Sequence, residues 1–231
     1  MTAVTPFWAS LKNKACAWSG AFVLGLTGLL ISPGVLAHPH GWIDLNVRVI
    51  TDDEGVVSGL HQTWQMDPFY SLVVFEELQQ VPGADLAQGL DQLGSEIRQN
   101  LSQQHYFTEV RLDGQRQALG EVTEYTAMER DGRLTFMFIL PLSTPEPLAG
   151  RTLEYQVFDP TYYLEVVHED VDGSPSEQAL ILHGEPSCEL TILPADPDPE
   201  LVMQAALLDV DEQGEPGLGR HFAETGRVAC L

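Results

Sequence analysis

Residues 42–66 read WIDLNVRVITDDEGVVSGLHQTWQM. In the first nine, Ile43, Leu45, Val47 and Val49 alternate with Asp44, Asn46 and Arg48. A period of two puts the apolar set on one face of a strand and the polar set on the other. TDDEG (51–55) is a turn, and VVSGLHQTWQM (56–66) is the returning strand, so the pair makes a hairpin.

Working downstream, Asp67-Pro68 supplies an N-cap and a first-turn proline. FYSLVVFEELQQV (69–81) is a short apolar helix that Pro82-Gly83 ends. A longer amphipathic helix over 84–104 carries Leu86, Leu90, Leu93, Ile97 and Leu101 at helical spacing. From Tyr106 the pattern turns to strands at 107–112, 121–129, 133–142, 152–159, 161–169, 179–184 and 188–194. Asp131-Gly132 is a strong hairpin turn between two of them. ADPDPE opens a last helix over 199–209. Strands run consecutively, and the helices are segregated early and late. That order predicts an α+β fold with a mainly antiparallel sheet, two early helices on one sheet face and one late helix, and it excludes βαβ repeats.

Working upstream, Lys12 and Lys14 precede AFVLGLTGLLI (21–31). This apolar run has signal-peptide length and falls short of a membrane span of roughly 20 residues. Pro33 and Gly34 interrupt it, and Val35-Leu36-Ala37 fits the small-x-small cleavage rule. The expectation is a cleavable leader over 1–37 and a single periplasmic domain over 38–231. The mature chain would then start at His38-Pro39-His40 and span no membrane.

The formal charge is −23, from 34 acids against 11 bases, and both lysines leave with the leader. Such a chain repels nucleic acid and anionic lipid, which excludes both as partners. An acid-rich, lysine-poor surface is a solubility device, so charge alone does not indicate a metal. Cys188 and Cys230 remain after cleavage. In an oxidising compartment an even pair bridges, and the closed loop contributes roughly 3–4 kcal/mol in the chain-entropy model. The alternative, a pair of thiolate metal ligands, has no CxxC spacing behind it.

The sharpest chemical feature is His38-x-His40. In extended backbone, side chains two apart share a face, so two imidazoles can converge on one ion. A free α-amino group at His38 would add a third nitrogen. Pro39 has no N–H, which blocks the square-planar mode that uses deprotonated backbone amides. Side-chain ligation remains, and it suits zinc, nickel or copper with further ligands from elsewhere. His61, on the returning strand, could be brought near His40 or Asp44, depending on hairpin register. His105, where helix passes into strand, completes the candidate metal set of His38, His40, His61, Asp44 and His105. A bland reading stands beside it, in which a solvated N-terminus carries incidental histidines.

His168 begins the run HEDVDG, which has metal-friendly residues but not the spacing of an EF-hand loop. Asp159, Tyr162 and Tyr163, in FDPTYYLEVV (158–167), form a second candidate corner. On a strand the two tyrosines would face opposite ways, so only one can enter the core. GxSxG, HExxH, P-loop and Rossmann fingerprints do not occur, and the chain is not expected to be an enzyme.

Several short stretches, in this order, resemble an exported bacterial family of unknown function, a periplasmic transport-system component. They are AHPHGWID (37–44), Trp64-x-x-Asp67-Pro68-Phe69, Tyr106-Phe107-Thr108, FDPTYY (158–163) and Gly219-x-x-Phe222-Ala223 followed by Val228-x-Cys230. The resemblance implies work beside membrane permeases of the NicO nickel/cobalt type. It is also similar to the periplasmic zinc-uptake component ZevA. It supports His38 and His40 as a metal site and leaves the other ligands open. The function expected is a periplasmic accessory protein that binds zinc or nickel and passes it to a membrane permease. The alternative is a metal-free module that docks on a transporter and assembles or gates it.

Overall fold

The computed structural model describes residues 39–80, 85–184, 187–209 and 212–230. The expected leader and His38 lie outside the described residues.

The opening hairpin is present. Strand β1 (Gly41–Thr51) pairs antiparallel with β2 (Val56–Met66), placing Ile43 opposite Met66, Leu45 opposite Trp64 and Arg48 opposite His61. The alternation reads out as burial: Ile43, Leu45, Val47 and Val49 are each 1% exposed or less. Beyond β2 lie β6 (Arg133–Pro147) and β5 (Tyr125–Arg130), both antiparallel. The other edge of β1 carries two parallel partners. β8 (Leu164–His168) runs along its first half and β11 (Leu180–His183) along its second.

A second sheet, antiparallel throughout, has the order β12 (Cys188–Leu193), β13 (Thr225–Cys230), β7 (Thr152–Val157), β3 (Thr108–Leu112) and β4 (Gln115–Arg116). A two-residue ribbon, β9 (Asp170–Val171) with β10 (Ser174–Pro175), follows β8. One core joins the sheets: Leu45, Trp64, Phe136 and Phe138 of the large sheet share it with Val110, Leu153, Tyr155 and Val228 of the small one. Cys188 and Cys230 stand opposite each other on β12 and β13 and form the expected disulfide.

Helix α1 (Pro68–Gln80) is capped by Asp67, whose Oδ1 accepts the Tyr70 N–H at 2.9 Å. Its buried Ser71 hydroxyl donates to the Asp67 carbonyl and accepts the Leu134 N–H, fastening the helix to β6. Helix α2 (Leu86–Ser102) lies on β5, where Gly94 allows close approach: an added Cβ would stand 3.1 Å from Ala127 Cβ. Helix α3 (Pro199–Ala206) is capped by Asp198. Among the described residues no helix is long and apolar enough to cross a membrane.

The α+β class, the mainly antiparallel pairing and the two early helices and one late helix are as the sequence pattern predicts. Three details differ. The strand expected over 161–169 starts only at Leu164, because 158–163 forms a corner. The strand expected from 121 starts at Tyr125. The sheet expected as one is two, joined through their inner faces.

Candidate functional site

The corner is built around one carboxylate. Asp159 is 8% exposed, and its Oδ1 accepts the Thr161 N–H and the Thr161 hydroxyl, both at 2.9 Å. Its Oδ2 accepts the Leu164 N–H at 3.2 Å. An Asp side chain that takes up nearby backbone donors replaces the strand ladder locally, which is why the chain turns here. Tyr162 adopts a left-handed φ of 56°, unusual for a bulky residue. The tyrosines then diverge. Tyr162 goes inward and stacks on Phe222 at 4.1 Å, while Tyr163 stays 37% exposed. Burial and the Glu165 carboxylate together push the Tyr162 hydroxyl up to about 12. The C-terminal segment closes over the turn: Gly217 N–H donates to the Pro160 carbonyl at 2.8 Å. A Cβ on Gly219 would collide with the Asp159 carbonyl oxygen. Asp159→Ala strands the donors it now satisfies, and a loss of about 2 kcal/mol is expected in urea unfolding. A loss below about 0.5 kcal/mol would show that the C-terminal segment alone holds the corner.

Tyr163 is the platform for His40. The rings stack with centroids 4.3 Å apart and planes 8° apart, and the His40 N–H donates to the Tyr163 carbonyl at 2.9 Å. The residue after it, Gly41, has no room for a side chain, since a Cβ would sit 2.6 Å from Asp67 Oδ2. Successive side chains alternate in direction, so the Asp67 carboxylate backs the strand while the His40 ring looks the other way. The start of α1 is tied to the same place by the Asp67 N–H donating to the Trp42 carbonyl. Around it Trp42, Phe69, Tyr70 and Leu72 are between 43% and 76% exposed.

The other sequence candidates do not join His40. Asp44 is on the same outer face but pairs with Arg133 at 2.6 Å. His61 stands opposite Arg48, eight positions beyond His40 and about 26 Å along the strand. The register therefore separates it from both His40 and Asp44. His105 sits exposed in a single 3-10 turn (105–107) that leads into the small sheet, beside Gln117. Among the described residues no group of three or more His, Cys, Asp or Glu converges as a metal site.

Two buried polar clusters fall outside the candidates drawn from the sequence. His168, 5% exposed on β8, accepts or donates at both ring nitrogens, with Nε2 2.7 Å from the Tyr155 hydroxyl and Nδ1 2.9 Å from Glu224 Oε2. Glu109 on β3, 3% exposed, takes a two-pronged Arg220 at 2.9 and 2.6 Å, and also Arg111.

The stretches that carry the family resemblance touch one another. His40 meets Tyr163, and Asp159 meets Gly219. The Trp64 indole donates to Gln62 Oε1, and Gln62 Nε2 donates to the Thr108 hydroxyl. Phe107 stacks on Trp64 and holds Phe158 through its carbonyl. A family sequence profile matches residues 23–230 and is described as a protein of unknown function, DUF1007. The chain belongs to the DUF1007 family. A relative from Haemophilus influenzae, named an uncharacterized protein, is 28% identical over 213 residues, covering 89% of this chain and 97% of its own. In this DUF1007 chain the short ordered motifs are thus the packing contacts of one corner and one inter-sheet seam.

Proposed function

We propose that this protein is a periplasmic accessory protein, not an enzyme, that binds a divalent transition metal as cargo. Zinc or nickel enters at the His38–His40 segment and passes to a membrane permease of the NicO type. The leader-like segment of the sequence points the same way. The observation that carries the reading is the seating of His40: its ring lies flat on Tyr163 while its backbone is pinned to the same residue. A ligand fixed in this way loses little freedom when a metal arrives. Two imidazoles leave coordination positions open, which suits handover more than storage. The exposed aromatic and aliphatic side chains at the start of α1 offer the permease a docking surface beside that port.

Calorimetric titration of the mature chain with zinc and nickel tests this. The His38→Ala/His40→Ala protein should bind at least about 100-fold more weakly, and Tyr163→Ala about tenfold more weakly. Affinity should also fall steeply between about pH 7.5 and 5.5, since protons compete for imidazole nitrogen. Equal binding by wild type and the double variant would overturn the metal reading. The second reading, a metal-free docking module, has the exposed α1 residues behind it; normal metal transport in cells carrying the double variant would favour it.

A further inference from the structure

The outer face of the large sheet holds a cleft of about 240 Å³ that the histidine port does not use. Its floor is the polar side of the opening hairpin and β6, and Glu169 and Gln178 rise over one edge. Two features distinguish it from a merely wet surface. Arg48 makes no ion pair among the described residues, although the chain has 34 acids. Glu169 is held in place through one oxygen, Oε2, which takes the Ser176 hydroxyl at 3.1 Å and, with the Asn46 amide turned to suit its neighbours, the Asn46 NH2 at 3.1 Å. Its Oε1 receives no hydrogen bond from a described residue.

One neighbouring arginine is already engaged. Arg133 is spent on Asp44, Met66 and Gln65, so it does not turn into the opening. Burial and then the Arg48 charge lower the His61 pKa, which keeps the ring neutral and able to accept or donate near pH 7. An unpaired arginine is a carboxylate receptor by geometry as well as charge. A net anion, however, would meet the field of a chain charged at −23. A zwitterion does not, and Glu169 beside Asn46 supplies the acceptor for its positive end.

We propose that this cleft binds a small zwitterionic solute of the amino-acid class, with its carboxylate on Arg48, its ammonium on Glu169, and a hydrogen bond from His61 along its length. The cleft is small, in keeping with a solute the size of a single amino acid or a close analogue.

The test is calorimetric titration of the mature protein, kept in chelator, with each standard amino acid and with acetate and methylamine as half-ligands. At least one amino acid should bind, and the half-ligands should bind at least about tenfold more weakly. Arg48→Ala should weaken binding at least about tenfold. Glu169→Gln should reduce the preference for the amino acid over its carboxylate half. Arg48 is exposed and bonded to no carboxylate, so its variant is expected to fold; an unchanged melting temperature without ligand verifies that. The proposal fails if no amino acid binds, if acetate binds as well as the best amino acid, or if Arg48→Ala binds like wild type.

Discussion

Glu109→Ala is expected to destabilise the protein by about 4 kcal/mol, measured by urea unfolding at neutral pH. The carboxylate is 3% exposed and sits among three guanidiniums, with Arg220 at 2.6 Å, Arg111 at 2.6 Å and Arg116 at 3.6 Å. Removing it leaves Arg220, whose guanidinium also lies 4.8 Å above the Phe158 ring, with charge and no partner. Arg220 belongs to the segment that closes over the Asp159 corner, so the loss spreads from the small sheet to the corner.

The same group carries an acid signature. The Arg220 hydrogen bonds, against the cost of burial and with help from Arg111, lower the Glu109 pKa from 4.5 to about 2. A folded value below the unfolded one stabilises the fold above the unfolded pKa. That contribution is lost as pH falls from about 4.5 through 2. The shift corresponds to about 3 kcal/mol, trimmed to about 2 because the Arg220 and Arg111 side chains are 38% and 44% exposed. Glu109→Gln keeps the shape and removes the titration. The stability gap between wild type and Glu109→Gln should therefore be constant above about pH 5 and shrink towards pH 2. A gap that stays flat down to pH 2 would show that Glu109 is not held ionised by these arginines.

The parts of the fold that could be read from sequence are those whose signal is local. The alternation of 42–50 gives the strand, its buried face and the hairpin, because side-chain direction and period are properties of the strand itself. Asp67-Pro68 marks a helix start because capping is settled within three residues. What escaped is non-local. Nothing in β1 signals that its second edge takes two parallel strands, β8 and β11, from more than a hundred residues away. FDPTYY reads as strand because its side chains are strand formers, yet one carboxylate, satisfied by Thr161 and Leu164, outweighs that propensity. The apolar run of α1 fixes a helix but not its contact face. Ser71 and Val74 are buried, while Phe69 and Leu72 are exposed.

The candidate site was legible in the same partial way. His40 was visible from its spacing, but its platform Tyr163 lies far along the chain. His61 was left open because its place depended on hairpin register, and the register pairs it with Arg48, eight positions beyond His40. His168 left a readable trace: it shares parity with the buried Val166, so a histidine had to enter the core, and a core imidazole needs two partners.

Those two partners set the second large prediction. His168→Ala is expected to cost about 4 kcal/mol, and the proton arrangement shows why. Burial pushes Glu224 up, but the His168 ring and the His168 backbone N–H outweigh it and hold the carboxylate low. Glu224 is therefore the acceptor and Nδ1 the donor. Burial, with the Glu224 charge, raises Tyr155 well above its ordinary value, so its hydroxyl keeps its proton and donates to Nε2. Both ring nitrogens and the Tyr155 hydroxyl are satisfied, and Glu224 Oε2 accepts both the ring N–H and the His168 backbone N–H, in a seam that joins β8 of the large sheet to β7 of the small one. Alanine leaves the Tyr155 hydroxyl buried and unpaired, removes a charge-assisted bond from Glu224 and opens a cavity the size of an imidazole. Tyr155→Phe removes a single neutral bond and should cost only about 1–2 kcal/mol. The double variant should cost less than the sum of the two by about 1 kcal/mol, since the shared bond is counted in both. Additive losses, or a His168→Ala loss below about 1 kcal/mol, would mean that the apolar core holds the sheets without this seam. The seam also reaches the proposed port. β8 begins at Leu164, directly after the Tyr163 ring that seats His40. If His168 anchors that strand, His168→Ala should weaken zinc binding several-fold under conditions where the variant is still folded, whereas Glu109→Gln should leave it unchanged.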